Sequence, residues 1–301
     1  MKKGIISYGE AFIDYIAIDQ NNDRFNRYLG GTTINVAVGV RRLGSPASYL
    51  CKKGTDETSD FVVNALKNEG VDVSYSKTSP NKQICRVYIH RNEQGDRYFH
   101  TYIDQTPDEQ LQEDELDAHF FHHAAILYVG SGTLFNPISR QTTKAAIELA
   151  KNSNTLVAFD ANIRMKRWES EQICRETIKD ILPAIDVLKL SDEELLFLMQ
   201  SSTIEAALQK LTHYHIPFIW ITKGENGAIA IHNQIRIEVA VSHVDVVDTT
   251  GAGDAFMAGI LHCIDKKGLP TNIQKLREYT EFANKLGAIT CTKQGSLSAF
   301  T

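Results

Sequence analysis

The chain has 301 residues, 43% hydrophobic and 23% charged, with a formal net charge of −5. That length suits one large domain or two ordinary ones, able to bury a core without metals or disulfides. The mild acidity, with no Lys/Arg run longer than a pair, excludes nucleic-acid binding through a basic face. Five cysteines at 51, 85, 174, 263 and 291 form no C-x-x-C pair and leave an odd count, which points to reduced thiols in a cytoplasmic setting. The opening MKKGIISYGEAFIDY has no long apolar core before Glu10 and Asp14, so neither a signal peptide nor a membrane partner is expected.

Taken in chain order, short apolar runs at 5–8, 47–50, 125–129, 156–160, 187–190 and 218–222 predict strands. Helical patterns fall between and after them, near 33–43, 58–69, 137–151, 168–181, 192–199, 203–212, 254–264 and 272–288. Alternation of this kind predicts a doubly wound, mostly parallel sheet flanked by helices. Two segments, about 11–30 and 84–103, contain strand patterns with no helix between them, the second turning at 92–95. They predict a small antiparallel lid inserted into a single domain.

Five stretches carry candidate chemistry. GGTTINVAVGVRRLG (30–44) pairs glycines with threonines at a helix start, which capping alone explains. Asn35 is a poor helix former there, and its amide can reach a ligand. FDANIRMKRW (159–168) places Asp160, Asn162 and Arg164 past the carboxyl end of a strand, where open α/β sheets bind ligands. An ordinary loop, with Asp capping and Arg in solvent, has the same composition. In LKLSDEEL (188–195), Ser191 and Glu194 form a capping box, which needs no function. WITKGENGAIAI (220–231) reads as strand, glycine turn, strand.

DTTGAGDAF (248–256) is the most informative. Gly251, Ala252 and Gly253 lead into a helix near Asp254, where unpaired amides and the helix dipole attract an anion. A transferred phosphoryl group would be stabilised there, and Asp254 could take the proton of an attacking hydroxyl. Walker, dinucleotide-fingerprint and protein-kinase patterns are absent. His119, His122, His123, His213 and His215 read as packing or surface residues rather than metal ligands.

With these residues the chain resembles the ribokinase-like (PfkB) carbohydrate kinases along its whole length, and among them the fructokinases. GGTTINVAVGVRRLG is similar to the first family signature, DTTGAGDAFMAGIL to the second, and YGEAFIDY, FDANIRMKRW and KLSDEELLFL to fructokinase segments. The resemblance implies ATP-dependent phosphorylation of a sugar's primary hydroxyl, with Mg²⁺, and a family habit of binding K⁺. It makes Asp254 the base and Gly251, Ala252 and Gly253 the anion hole. Asp14, Gly31 and Asn35 would hold sugar hydroxyls, with Arg164 near the sugar or the transferred phosphate. Lys189, Thr222, Gly224, Gly227 and Asn284 would line the nucleotide site. Glu194 would order metal-bound water, and Asp248 with Thr250 would form one side of a monovalent-cation site. It also implies pairing of lids in a homodimer.

Thr32-Thr33, Ala161 and Ser191 depart from the usual A-P, D-P-N and N-x-x-E patterns. The sugar class stays open at this stage: a ketohexose such as fructose, 2-keto-3-deoxygluconate, ribose or a nucleoside. The lid side chains Arg86, Tyr88, Arg97, Phe99 and Tyr102 would decide it, and an acidic sugar would want Arg86 or Arg97 facing the pocket. A non-catalytic sugar or nucleotide sensor on the same scaffold is the alternative of another class.

Overall fold

A computed structural model describes residues 2–93, 95, 97–233 and 235–297. The first half of the chain runs β1 (Ile5–Tyr8), β2 (Phe12–Ala17), β3 (Phe25–Gly30), α1 (Thr32–Arg42), β4 (Ala47–Leu50), β5 (Lys52–Lys53), α2 (Glu57–Asn68), β6 (Lys77–Thr78), β7 (Cys85–Arg91) and β8 (Arg97–Ile103). Then follow α3 (Ala118–His123), β9 (Ile126–Gly130), α4 (Pro137–Asn152), β10 (Leu156–Asp160), α5 (Glu171–Ile181), β11 (Val187–Ser191), α6 (Asp192–Met199) and α7 (Ile204–Leu211). The last elements are β12 (Phe218–Thr222), β13 (Ala228–His232), β14 (Ile235–Val239), α8 (Ala252–Lys267) and α9 (Ile273–Cys291).

Eight strands form the main sheet in the order β14-β13-β12-β11-β10-β9-β1-β4. The six from β4 to β12 are parallel, and β13 and β14 close the edge antiparallel. Alternating side chains feed a core on each face. Leu127 and Val129 pack with Ala146, Ile178 and Leu195 on one side. Ile126 and Tyr128 pack with Val36, Trp220 and Phe256 on the other. Burial on both faces explains why these strands are apolar throughout.

The small sheet has the order β3-β2-β7-β8. Each hairpin is antiparallel, as expected, but the two hairpins join through a parallel pair, β2 with β7. Between them the chain passes through α1, β4 and α2, and so returns to the lid in the direction of β2. The short pair β5–β6 on that path has no periodic signature in the sequence.

Three expected boundaries move for local reasons. α5 starts at Glu171, not 168, because the Ser170 hydroxyl caps the amide of Ile173 at 3.2 Å. α9 runs on to Cys291. α8 begins at Ala252, with Gly251 in the left-handed region at φ +82°. Asp254 therefore sits inside the first turn, as expected. Among the described residues no helix is long and apolar enough to cross a membrane.

Candidate active site

The site forms where β10, β11, α1 and α8 meet at the carboxyl end of the main sheet. Register pairs Asp160 with Lys189, so their side chains share a face. The Lys189 ammonium lies 3.1 Å from both Asp160 oxygens. Burial pushes the Asp160 carboxyl up, and Lys189 pulls against it. Burial would lower Lys189, but the neighbouring carboxylates, Asp160 foremost, outweigh it and hold the ammonium charged. A Cβ on Gly253 would come within 2.9 Å of that ammonium. Lys189 thus lies beneath the start of α8.

Directly above it, Asp254 Oδ2 accepts a hydrogen bond from Asn35 Nδ2 at 2.7 Å. Burial raises the Asp254 carboxyl above its ordinary range, and the Asn35 bond, Lys189 and Arg164 oppose that rise. The first turn of α1 supplies Asn35, whose Oδ1 also accepts from the Ser296 hydroxyl at 3.2 Å. Thr32 Oγ1 accepts from Asn162 Nδ2, tying the same turn to the loop after β10. Glu194 completes the capping box expected from sequence, Oε2 accepting from Ser191 N at 2.8 Å. Its Oε1 accepts from Ile163 N at 2.7 Å, so it also anchors the loop that carries Arg164. Arg164 itself is exposed.

At the turn before α8, Ala252 N donates to Thr249 O at 3.2 Å. The amides of Gly251, Gly253 and Asp254 find no acceptor among the described residues. Three donors at a helix N-terminus make an anion seat, with the Ala252 amide partly diverted from it. A Cβ on Gly251 would fall within 2.5 Å of the Ser296 Cα, so the turn fits against the tail only as glycine. Asp248 Oδ1 accepts from Thr250 N at 2.9 Å and Oδ2 from Gly295 N at 3.1 Å, holding that tail in place.

On the lid, a Cβ on Gly30 would overlap the Asp14 carboxylate, and one on Gly31 would meet the Phe12 ring at 2.9 Å. Burial pushes Asp14 up to about 7. Arg86 pairs with Ile13 and Ile103, which places it on the face opposite Asp14 and Val87. There it donates to Gln105 at 3.1 Å. The side chain of Arg97 lies outside the described residues.

Thr222, Gly224 and Gly227 lie at the end of β12 and in the turn after it, and Asn284 reaches Val239 and Ala240, which also face Gly227. Register sets Thr222 beside Ser191. Gly224 (φ +54°) and Gly227 (φ +80°) shape the turn after β12, and a Cβ on Gly227 would overlap the Val239 carbonyl. Asn284 Nδ2 donates to Val239 O at 3.0 Å and Ala240 O at 3.3 Å. Its buried amide therefore fixes the end of β14 beside that turn.

Sequence reasoning missed Ser296, whose hydroxyl reaches Asn35 from a distant segment.

Comparison with known proteins gives the family. A family model described as pfkB family carbohydrate kinase matches residues 2–300. A probable fructokinase-2 of Arabidopsis thaliana is 32% identical, over 98% of this chain and 92% of its own length. A fructokinase double mutant from Vibrio cholerae O395, solved in a fructose-, ADP- and potassium-bound form, is 30% identical with a TM-score of 0.90, covering 100% of this chain and 96% of that one. The Vibrio enzyme in a fructose-, ADP- and calcium-bound form is also 30% identical, with a TM-score of 0.88 over 99% and 96% of the two chains.

Proposed function

Because this chain belongs to the pfkB family of carbohydrate kinases, we propose that it transfers the γ-phosphoryl group of ATP to a primary hydroxyl of fructose. The observation that carries the reading is a half-buried carboxylate, Asp254, fixed by Asn35 at 2.7 Å in the same helical turn as unpaired amides. Base and anion seat are thus built on one rigid element.

Phosphoryl transfer demands positioning and charge stabilisation more than covalent chemistry. Asp14, Gly31 and Asn35 would hold the sugar with its hydroxyl toward Asp254, which accepts the proton as the oxygen attacks phosphorus. The amides of Gly251 and Gly253 would receive the charge on the transferred group, with Lys189 behind them and Arg164 in front. Thr222, Gly224 and Gly227, with Asn284 behind them, would form the nucleotide wall.

Among the described residues no cluster of three or more His, Cys, Asp or Glu could hold a metal. That suits Mg²⁺ carried by phosphate oxygens and water, which when bound neutralises phosphate charge. Glu194, with both oxygens on main-chain amides, could order such water through its remaining lone pairs. Asp248 and Thr250 would form one side of a K⁺ site.

A neutral sugar is favoured over 2-keto-3-deoxygluconate because Arg86 faces away from Asp14. ADP release measured with a panel of sugars, ATP and Mg²⁺ tests the proposal. Fructose is expected to give the highest kcat/KM. Sugar binding without ADP release would mark a sensor instead.

Asp14 makes the reading pH-dependent. Its carboxyl, pushed up to about 7, accepts a sugar hydroxyl most strongly when ionised. Below that pH it gains a proton and the charge-assisted bond is lost, so the sugar KM should rise by up to about tenfold per unit. The Asp14→Asn variant should show a higher KM with a flat profile. A wild-type KM that stays constant from about pH 8 to about pH 5.5, a span that brackets the titration, contradicts this role.

The half-exposed lid residues Tyr28, Tyr98 and Phe99 support pairing with a second copy. A monomer by light scattering at assay concentration opposes that extension.

A further inference from the structure

A second polar cluster lies at the root of the lid, outside the site described above. Arg167 Nη2 donates to Glu10 Oε2 at 3.0 Å, with both side chains largely buried. Glu10 Oε1 accepts from Gln110 Nε2 at 3.3 Å and lies 3.7 Å from Lys82 Nζ. That ammonium is buried and has no hydrogen-bond partner among the described residues. A buried ion pair of this kind adds little net stability after desolvation, so something besides stability must favour the arrangement.

The aromatic contacts show what the cluster holds together. The Arg167 guanidinium stacks 3.9 Å from the centre of the Phe135 ring, beside α4 in the main domain. It also lies 5.1 Å from Phe12 on β2 and 5.3 Å from Tyr102 on β8. Its neighbour Lys166 sits 5.2 Å over Phe99 of β8. Residues 165–167 form one short helical turn, and Arg164 caps it. The same turn therefore grips both lid hairpins and carries Arg164, whose charge is felt at Asp254. Phe12, in addition, packs on Gly31.

We propose that Arg167 is a positioning residue for sugar capture: it locks the Arg164 loop to the lid aromatics, so that the two halves of the sugar pocket hold one register. Glu10 neutralises its charge, and therefore the pocket gains a rigid planar strut without becoming an anion site. The shape of the guanidinium matters as much as its charge, because only a flat cation can stack on Phe135 and bond Glu10 at once. This inference rests on the sugar-kinase reading but not on which sugar is used.

The test is steady-state kinetics of Arg167→Leu and Arg167→Lys, with the sugar that the wild type turns over fastest. Misplacing one wall of the pocket should raise the sugar KM about tenfold in Arg167→Leu, while the ATP KM stays within about twofold. Arg167→Lys should recover part of the sugar KM. An unchanged sugar KM in Arg167→Leu overturns the proposal, as does a parallel loss on both substrates that lysine fails to relieve. Should Arg167→Leu not fold, Phe135→Leu carries the test, because it keeps the ion pair and removes the stacking surface. A raised sugar KM there supports the strut, and an unchanged one contradicts it. Wild-type turnover in the same assay checks the kinase reading separately.

Discussion

Replacing Asp254 by Asn is expected to lower kcat by about 10²–10⁴-fold, the range for losing a positioned general base. The substitution is nearly isosteric. An Asn oxygen can still accept from Asn35 Nδ2, now 2.7 Å from Asp254 Oδ2, so the local geometry should persist. The ATP KM should change by no more than about twofold, since the nucleotide is held by groups that remain. Stability should hold or rise slightly. Burial lifts the Asp254 carboxyl above its unfolded value, so its ionised form at neutral pH opposes folding, and a neutral amide removes that opposition. Steady-state kinetics together with a thermal melt separate this outcome from simple misfolding. Near-normal turnover in a folded variant would remove Asp254 from the chemistry.

The second large effect is expected at Gly251. An alanine there would have to adopt φ +82° and place its Cβ within 2.5 Å of the Ser296 Cα. The left-handed conformation alone costs about 1–2 kcal/mol for a residue with a Cβ. Relief requires the turn to rotate or the tail at 295–297 to leave. Rotation swings the amides of Gly251 and Gly253 away from the anion seat. Losing one such donor lowers kcat by about 10²–10³-fold elsewhere, and that is the expected loss for Gly251→Ala. The sugar KM should move less than kcat, because Asp14 and Gly31 lie on the other side of the cleft. A variant with wild-type kcat would mean that the amides of this turn do not bear the developing charge. Measuring kcat and sugar KM separately decides between these results.

How far the sequence foretold this molecule depended on the range of the signal. Strands buried on both faces, such as 126–130, were legible because a short unbroken apolar run between helical patterns fits little besides a central strand. The 248–256 turn was legible because glycines, hydroxyls and carboxylates at a helix start exceed what capping requires. The lid hairpins were readable singly. Their parallel junction was not, because strand order depends on the path of the chain between Gly30 and Cys85, which no local pattern encodes. The seat of Lys189 under Gly253 was not legible, because it follows from register with Asp160. The Glu194 contact to Ile163 and the Glu10–Arg167 pair likewise join residues far apart in sequence. Long-range polar pairing leaves no periodicity to read.

All of these roles converge on a single arrangement, in which a sugar hydroxyl and the end of a triphosphate meet at one carboxylate. A crystal structure of this protein with fructose and a non-hydrolysable ATP analogue tests it most directly. The account predicts a primary hydroxyl oxygen within hydrogen-bonding reach of Asp254, about 2.6–3.2 Å, and the terminal phosphate against the amides of Gly251 and Gly253. Both ligands bound with that hydroxyl directed away from Asp254 would contradict it.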